Sequence, residues 1–361
     1  MSLRFHWRLP QTGEDDTGSR AAAASRPQTG IPDLESLTHF CRAAEASGID
    51  SLLVDFGWGK PDPITLSTAL GLRTSTIRFI IAWRSGLISP TMFVQQLNTL
   101  STMIDGRFSL NVVCGHSPGE QRGYGDFLLH DERYARTDEF LAVCNAFWYG
   151  EQPVDFTGKY YTVEQGKVNT PFLSPTETAP ERYIAGNSVQ ARELAMRQGS
   201  CWMMMAEPIA KIRDFIPPLL AQGRTIGIRA GVIARATTEE AHRAAYDLIA
   251  EAGADQQKET SFIRNSDSPT MQARFDAAMN GSDWVTPVLW NGALKSHGPA
   301  ATALVGSYDD IAAALIEYGE AGVTQFILSG WPKLEEMQRF GREIIPLVRA
   351  AEEQRRDGTT G

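Results

Sequence analysis

Eight short apolar runs rich in β-branched residues, most of them followed by an amphipathic stretch at helical spacing, constrain the fold more than any other feature. They cover residues 4–10, 50–56, 77–84, 107–115, 181–185, 201–206, 226–236 and 324–330. Helices are predicted at 33–47, 63–72, 90–104, 188–198, 208–222, 238–252, 307–320 and 334–351. Strand and helix in alternation predict parallel pairing, because parallel neighbours need a crossover long enough to hold a helix. Eight such units predict a closed TIM (β/α)8 barrel rather than an open doubly wound sheet. The 361 residues then form one domain, a barrel of roughly 250 residues with insertions. Periodicity weakens over residues 253–305, between strands seven and eight. A stretch that long predicts a partly helical insertion over the site and is the candidate lid. The loop after strand one, through Gln28, is expected to be mobile, and the tail 352–361 to fray.

Composition removes several function classes. A net charge of -9 and a pI near 5.3 argue against nucleic acid, which needs a basic face. No apolar run approaches the roughly 18 residues of a membrane span, and the first ten residues lack the apolar core of a signal peptide. Cys41, Cys114, Cys144 and Cys201 form no CxxC pair, which fits reduced thiols in a cytoplasmic enzyme. No metal is expected, since neither HExxH nor a His/Cys ligand set occurs. GxGxxG after strand one, a P-loop and a GxSxG elbow are also missing.

What remains is chemistry at strand ends, where parallel α/β folds bind ligands. Residues 111–140, NVVCGHSPGEQRGYGDFLLHDERYARTDEF, run from a buried strand through a polar, glycine-rich loop into an amphipathic helix. Asn111 is an amide inside an apolar strand and needs partners. Arg133 and Tyr134 fall in the first helical turn if Asp131 caps it; a guanidinium there can meet a phosphate, or join a surface charge cluster with Asp131 and Glu132. Gly186, Asn187 and Ser188 link a strand to a helix, and suit either a phosphate at the helix N-terminus or a plain cap. Arg229, in the strand pattern IGIRAGVIARA, needs an anion or a carboxylate if it points inward. Both readings of it stand.

HDERYARTDEF, with NVVCG before it, resembles the flavin-binding segment of the bacterial luciferase-like monooxygenases, in particular the alkanesulfonate monooxygenase branch. MSLRFHWRLP at one end and FILSGWPKLEEMQRFG at the other take part in the resemblance. It implies a barrel that binds FMN, used in its reduced form as co-substrate. Oxygen then adds at the flavin C4a to give a peroxyflavin that oxygenates a small organic substrate. Asn111 and Glu120 match residues that hold the isoalloxazine and its surroundings, and Gly186 to Ser188 match the phosphate loop. Asp55 and Phe56 would line the ring's other side, with Arg133 and Tyr134 reaching the phosphate and ribityl chain. Arg229 matches an active-site arginine. A separate NAD(P)H:FMN reductase, molecular oxygen as co-reactant and a homodimer or homotetramer are implied as partners.

The substrate side departs from that pattern. Gly231 stands where a histidine is expected, Met205 where a tryptophan is, Thr12 where a histidine is, His297 where a lid arginine is, and Trp331 where a tyrosine is. Arg229, His297 and Trp331 are therefore the catalytic candidates, with Lys60 and Lys295 able to neutralise an anionic substrate. Sulfonates and other anionic or sulfur compounds are the expected substrate class. Two alternatives are a deazaflavin (F420)-dependent oxidoreductase on the same barrel and a flavin-binding protein without catalysis.

Overall fold

The computed structural model describes residues 2–11, 32–250, 260, 263–298 and 300–358. Thr12, the loop through Gln28 and parts of the 253–305 insertion lie outside the described residues. The strands, in chain order, are β1 (Arg4–Arg8), β2 (Ser51–Val54), β3 (Arg78–Trp83), β4 (Phe108–Val112), β5 (Val154–Thr157), β6 (Thr162–Gly166), β7 (Arg182–Ala185), β8 (Cys201–Met205), β9 (Thr225–Arg235), β10 (Leu289–Trp290), β11 (Ala303–Ser307) and β12 (Val323–Gly330). Parallel pairing runs β12-β1-β2-β3-β4-β7-β8-β9, and β9 pairs back onto β12. The eight-stranded barrel is closed, and each of its strands falls on a predicted run.

Alternation along each strand sorts the side chains. Phe5, Trp7, Leu52, Val54, Phe79, Ile81, Phe108 and Leu110 point outward into the layer under the helices. Leu53, Ile80, Tyr183, Cys201, Met203 and Ile327 fill the interior. His6 joins them and meets Gln325 at 2.9 Å. The same alternation carries Arg8, Asp55 and Asn111 inward at the C-terminal ends of β1, β2 and β4, and Arg229 inward midway along β9, level with the end of β8.

Several predicted boundaries move. The helix expected over 208–222 is two short ones, Ile209–Arg213 and Pro217–Ala221, because prolines 217 and 218 lack the N–H groups a continuous helix needs. The central helix is His130–Tyr149 with Leu129 at its N-cap, so Asp131 lies inside the first turn and does not cap it. The last helix runs on to Gly358. Within the expected tail, Glu352 accepts the Leu3 amide at 2.6 Å, tying the two ends of the chain together.

The insertion contains the helix Pro269–Asn280, β10 and a 3-10 turn at Gly292–Lys295. It ends in β11, a strand the sequence reading misses, which pairs with Gly231–Arg235 of β9 beyond the end of β8. Arg274 of the insertion helix pairs with Glu207 and donates to the Thr302 hydroxyl at 2.9 Å. The insertion is therefore docked against the loop that follows β8.

Candidate active site

Three cations converge on one carboxylate at the barrel mouth. Asp55, one residue past β2, takes Arg8 Nε at 2.6 Å, Lys60 Nζ at 2.8 Å and Arg229 Nη1 at 3.8 Å. Its amide and carbonyl are held by the Gln11 side chain at 2.6 and 3.0 Å. Burial alone would raise its pKa, but the surrounding cations outweigh that and hold it well below the usual carboxylate range. The Asp55 carboxylate organises the cations of β1, β9 and the loop after β2. Arg229 thus finds its carboxylate partner in Asp55.

A second cluster forms where β7 meets its helix. Ser188 caps Val189–Gln198 by accepting the Ala191 amide at 3.1 Å, and its Oγ stands 3.5 Å from Tyr134 Oη. Gly186 has φ +142°, and a Cβ there would lie 2.9 Å from Ala191 Cβ and 3.0 Å from Tyr134 Oη. Only a glycine lets the loop pass between these groups. Asn187 Oδ1 accepts the Met205 amide at 2.9 Å, so its side chain ties two strand ends together. Burial raises the pKa of Tyr134 and keeps its phenol a neutral donor.

Between these clusters lies Asn111, 7% exposed, whose Oδ1 is buried with no partner among the described residues. It pairs in register with Ala82 of β3 and Tyr183 of β7. Glu120, in the short helix Pro118–Gly123, accepts from Arg84 Nη2 at 2.7 Å and from the Trp58 amide at 3.1 Å. Arg84 is 7% exposed and lies 4.9 Å over the face of Phe56. Phe56 in turn packs on Tyr124 and Trp83 at 5.3 and 6.2 Å. Arg84 carried no role in the sequence reading, although a charge closing the apolar run IRFIIAWR at the inward phase was a usable signal.

Arg133 does not stand ready for a phosphate. It is 2% exposed and donates to the carbonyls of Cys114, Leu128 and Gly115 at 2.8, 2.9 and 3.3 Å. It also pairs with Asp267 of the insertion at 2.7 Å. A guanidinium surrounded by backbone carbonyls and a carboxylate pins the glycine-rich loop and the insertion together. The Asp267 amide donates to the His116 carbonyl at 3.0 Å, on the same seam.

On the substrate side, a Cβ on Gly231 would lie 2.8 Å from the Trp331 indole. The indole thus covers the place where a side chain at 231 would project. His297 meets that indole edge-on at 5.3 Å and Ser296 Oγ at 2.9 Å. Lys295 pairs with Asp283 at 2.7 Å, which accounts for its charge within the insertion. Among the described residues no His/Cys/Asp/Glu group suits a metal, and no helix is long and apolar enough to cross a membrane.

A family model described as luciferase-like monooxygenase matches residues 4–325. The fold is similar to that of EDTA monooxygenase (EmoA) from Chelativorans sp. BNC1, with 19% identity, a TM-score of 0.76 and coverage of 97% of this chain and 94% of that one. Riboflavin lyase (RcaE), solved with modified FMN and riboflavin as substrate, matches at 18% identity and TM-score 0.72 over 98% and 92%. An F420-dependent secondary alcohol dehydrogenase, solved with an F420–acetone adduct, matches at 17% and 0.66 over 96% and 99%. At these identities the structural likeness speaks for the fold.

Proposed function

The chain belongs to the luciferase-like monooxygenase family, and on that premise we propose that it is the oxygenating component of a two-component system. It takes reduced FMN from a separate NAD(P)H:FMN reductase and uses molecular oxygen to oxygenate a small organic substrate. The reading is carried by the corner of Gly186, Ser188 and Tyr134 together with Asn111 Oδ1, which is buried without a partner among the described residues, at the C-terminal ends of adjoining strands. A loop that only glycine can form, at a helix N-terminus, suits a phosphate. The buried amide oxygen suits a ring N–H or a ribityl hydroxyl.

Reduced FMN, when bound, supplies the electrons that activate oxygen. The protein's part is to hold it, to exclude water and to place the substrate. Ser188 and the loop amides hold the phosphate, and Tyr134 and Asn111 hold the chain and ring. Arg229, set by Asp55, faces the substrate's anionic group, which fits sulfonates and related anionic or sulfur compounds. Trp331, His297 and Met205 form the wall that keeps water out, and the described part of the insertion, residues 263–298, covers it. The assembly is a homodimer or homotetramer.

The likeness to an F420-dependent enzyme makes a deazaflavin the competing cofactor. Titration with reduced FMN and with F420, followed by oxygen uptake with a reductase and a panel of sulfonates and sulfones, decides between them. Binding of reduced FMN and substrate-linked oxygen uptake are expected. F420 binding with no affinity for reduced FMN would overturn the proposal.

A further inference from the structure

We propose that Arg84 is a cofactor-contacting residue that makes the site prefer the reduced, anionic flavin over the oxidised one. The inference rests on the FMN reading above and goes beyond it, because it assigns the redox preference of the site to one side chain. Of Arg84's donors, Nη2 is engaged by Glu120. Nε and Nη1 are buried with no partner among the described residues. A buried donor without an acceptor is destabilising, so two on one guanidinium point to an acceptor that the bound state supplies.

The surroundings identify that acceptor. Arg84 lies on the face of Phe56, within an aromatic group that includes Tyr124 and Trp83. A flat, conjugated heterocycle fits such walls better than a phosphate does. The phosphate-type corner at Gly186 follows β7, and β4 lies between β3 and β7. With strands about 4.8 Å apart, the ends of β3 and β7 are separated by roughly 10 Å, the reach of a ribityl phosphate arm.

Asn111 presents a buried acceptor one strand over from Arg84, at the level of Ala82. An acceptor beside a pair of donors is the complement of an imide edge, N–H next to C=O, such as the pyrimidine end of an isoalloxazine. Reduced flavin that has lost its N1 proton spreads negative charge over N1 and the adjoining carbonyl. A guanidinium there stabilises that state, whereas oxidised flavin is neutral at the same edge. Glu120 fixes the guanidinium by one nitrogen and leaves the other two buried without a partner among the described residues, and its grip on the Trp58 amide holds the Phe56 loop in place.

The test measures dissociation constants for oxidised and reduced FMN, the latter under anaerobic conditions, in wild type, Arg84→Lys, Arg84→Met and the pair Arg84→Met/Glu120→Gln. The pair removes both charges, so the reading does not depend on a variant that buries an unpaired carboxylate. The oxidised-to-reduced Kd ratio is expected to fall at least tenfold in the Met variants and to stay within about threefold in Arg84→Lys. A tenfold fall equals a drop of about 30 mV in the bound two-electron potential. A ratio unchanged in the pair, with only the melting temperature lowered, would make Arg84 structural and overturn the inference. Wild type failing to bind FMN in either state would instead remove the FMN reading on which it stands.

Discussion

Gly186→Ala puts the phosphate-type corner to its most direct test. The backbone sits at φ +142°, a region that costs a residue with a side chain about 1–3 kcal/mol. The new Cβ would lie 2.9 Å from Ala191 Cβ and 3.0 Å from Tyr134 Oη, against ordinary contacts of about 3.5–4.0 Å. One neighbour must retreat by roughly 0.5–1 Å, and such overpacking costs about 1–3 kcal/mol. The sum is about 2–6 kcal/mol of strain, relieved by moving Tyr134 away from Ser188 or by loosening the helix cap. Losing one hydrogen bond to a phosphate is worth about 1.5–3 kcal/mol, roughly a 10- to 150-fold rise in Kd. The assay is a fluorescence titration with FMN at fixed ionic strength, run beside a thermal melt. Gly223→Ala is the control: its φ is +72° and nothing lies within 4 Å of a Cβ there, so it should lower stability slightly and leave FMN affinity alone. Affinity in Gly186→Ala within twofold of wild type, or equal losses in the two variants, would refute the reasoning.

Four further outcomes follow from the same geometry. Asp55→Asn leaves Arg8, Lys60 and Arg229 facing one another and should cost about 3–5 kcal/mol in urea unfolding; a loss below about 1 kcal/mol would mean the cluster reorganises freely. Arg133→Ala should lower stability by a similar amount and expose the 114–128 loop to limited proteolysis, and Arg133→Lys should not rescue it, because an ammonium cannot span three carbonyls. Arg229→Ala should reduce turnover roughly 10- to 150-fold through one lost charge-assisted contact while FMN affinity stays within about threefold; normal turnover would make the residue purely structural. His6, buried against Gln325, has its pKa pushed down to about 3. The unfolded chain therefore takes up the proton first, near 6.5, and stability is full above that pH and falls as pH drops towards the folded value. Between pH 6.5 and 5 the loss should be roughly 1–2 kcal/mol, and His6→Gln should flatten that slope.

The barrel was legible in the sequence because strand length, β-branched content and helical period are local properties. The resemblance at HDERYARTDEF likewise needed only contiguous residues, and so did the cap at Ser188, whose partner is three positions away. What the sequence could not carry was the choice of partners across the closed sheet. Arg8 and Asp55 are 47 residues apart, and Arg229 reaches the same carboxylate only because β9 comes round the barrel to β12, beside β1. Arg133 is suited to a phosphate by type and position, yet folding surrounds it with three carbonyls and Asp267. Gly231 and Trp331 read separately as two losses, and only their contact shows one filling the space of the other. Local sequence decides which elements form. Barrel closure decides which charges and rings meet at the mouth, because those contacts join strands whose order in space differs from their order in the chain.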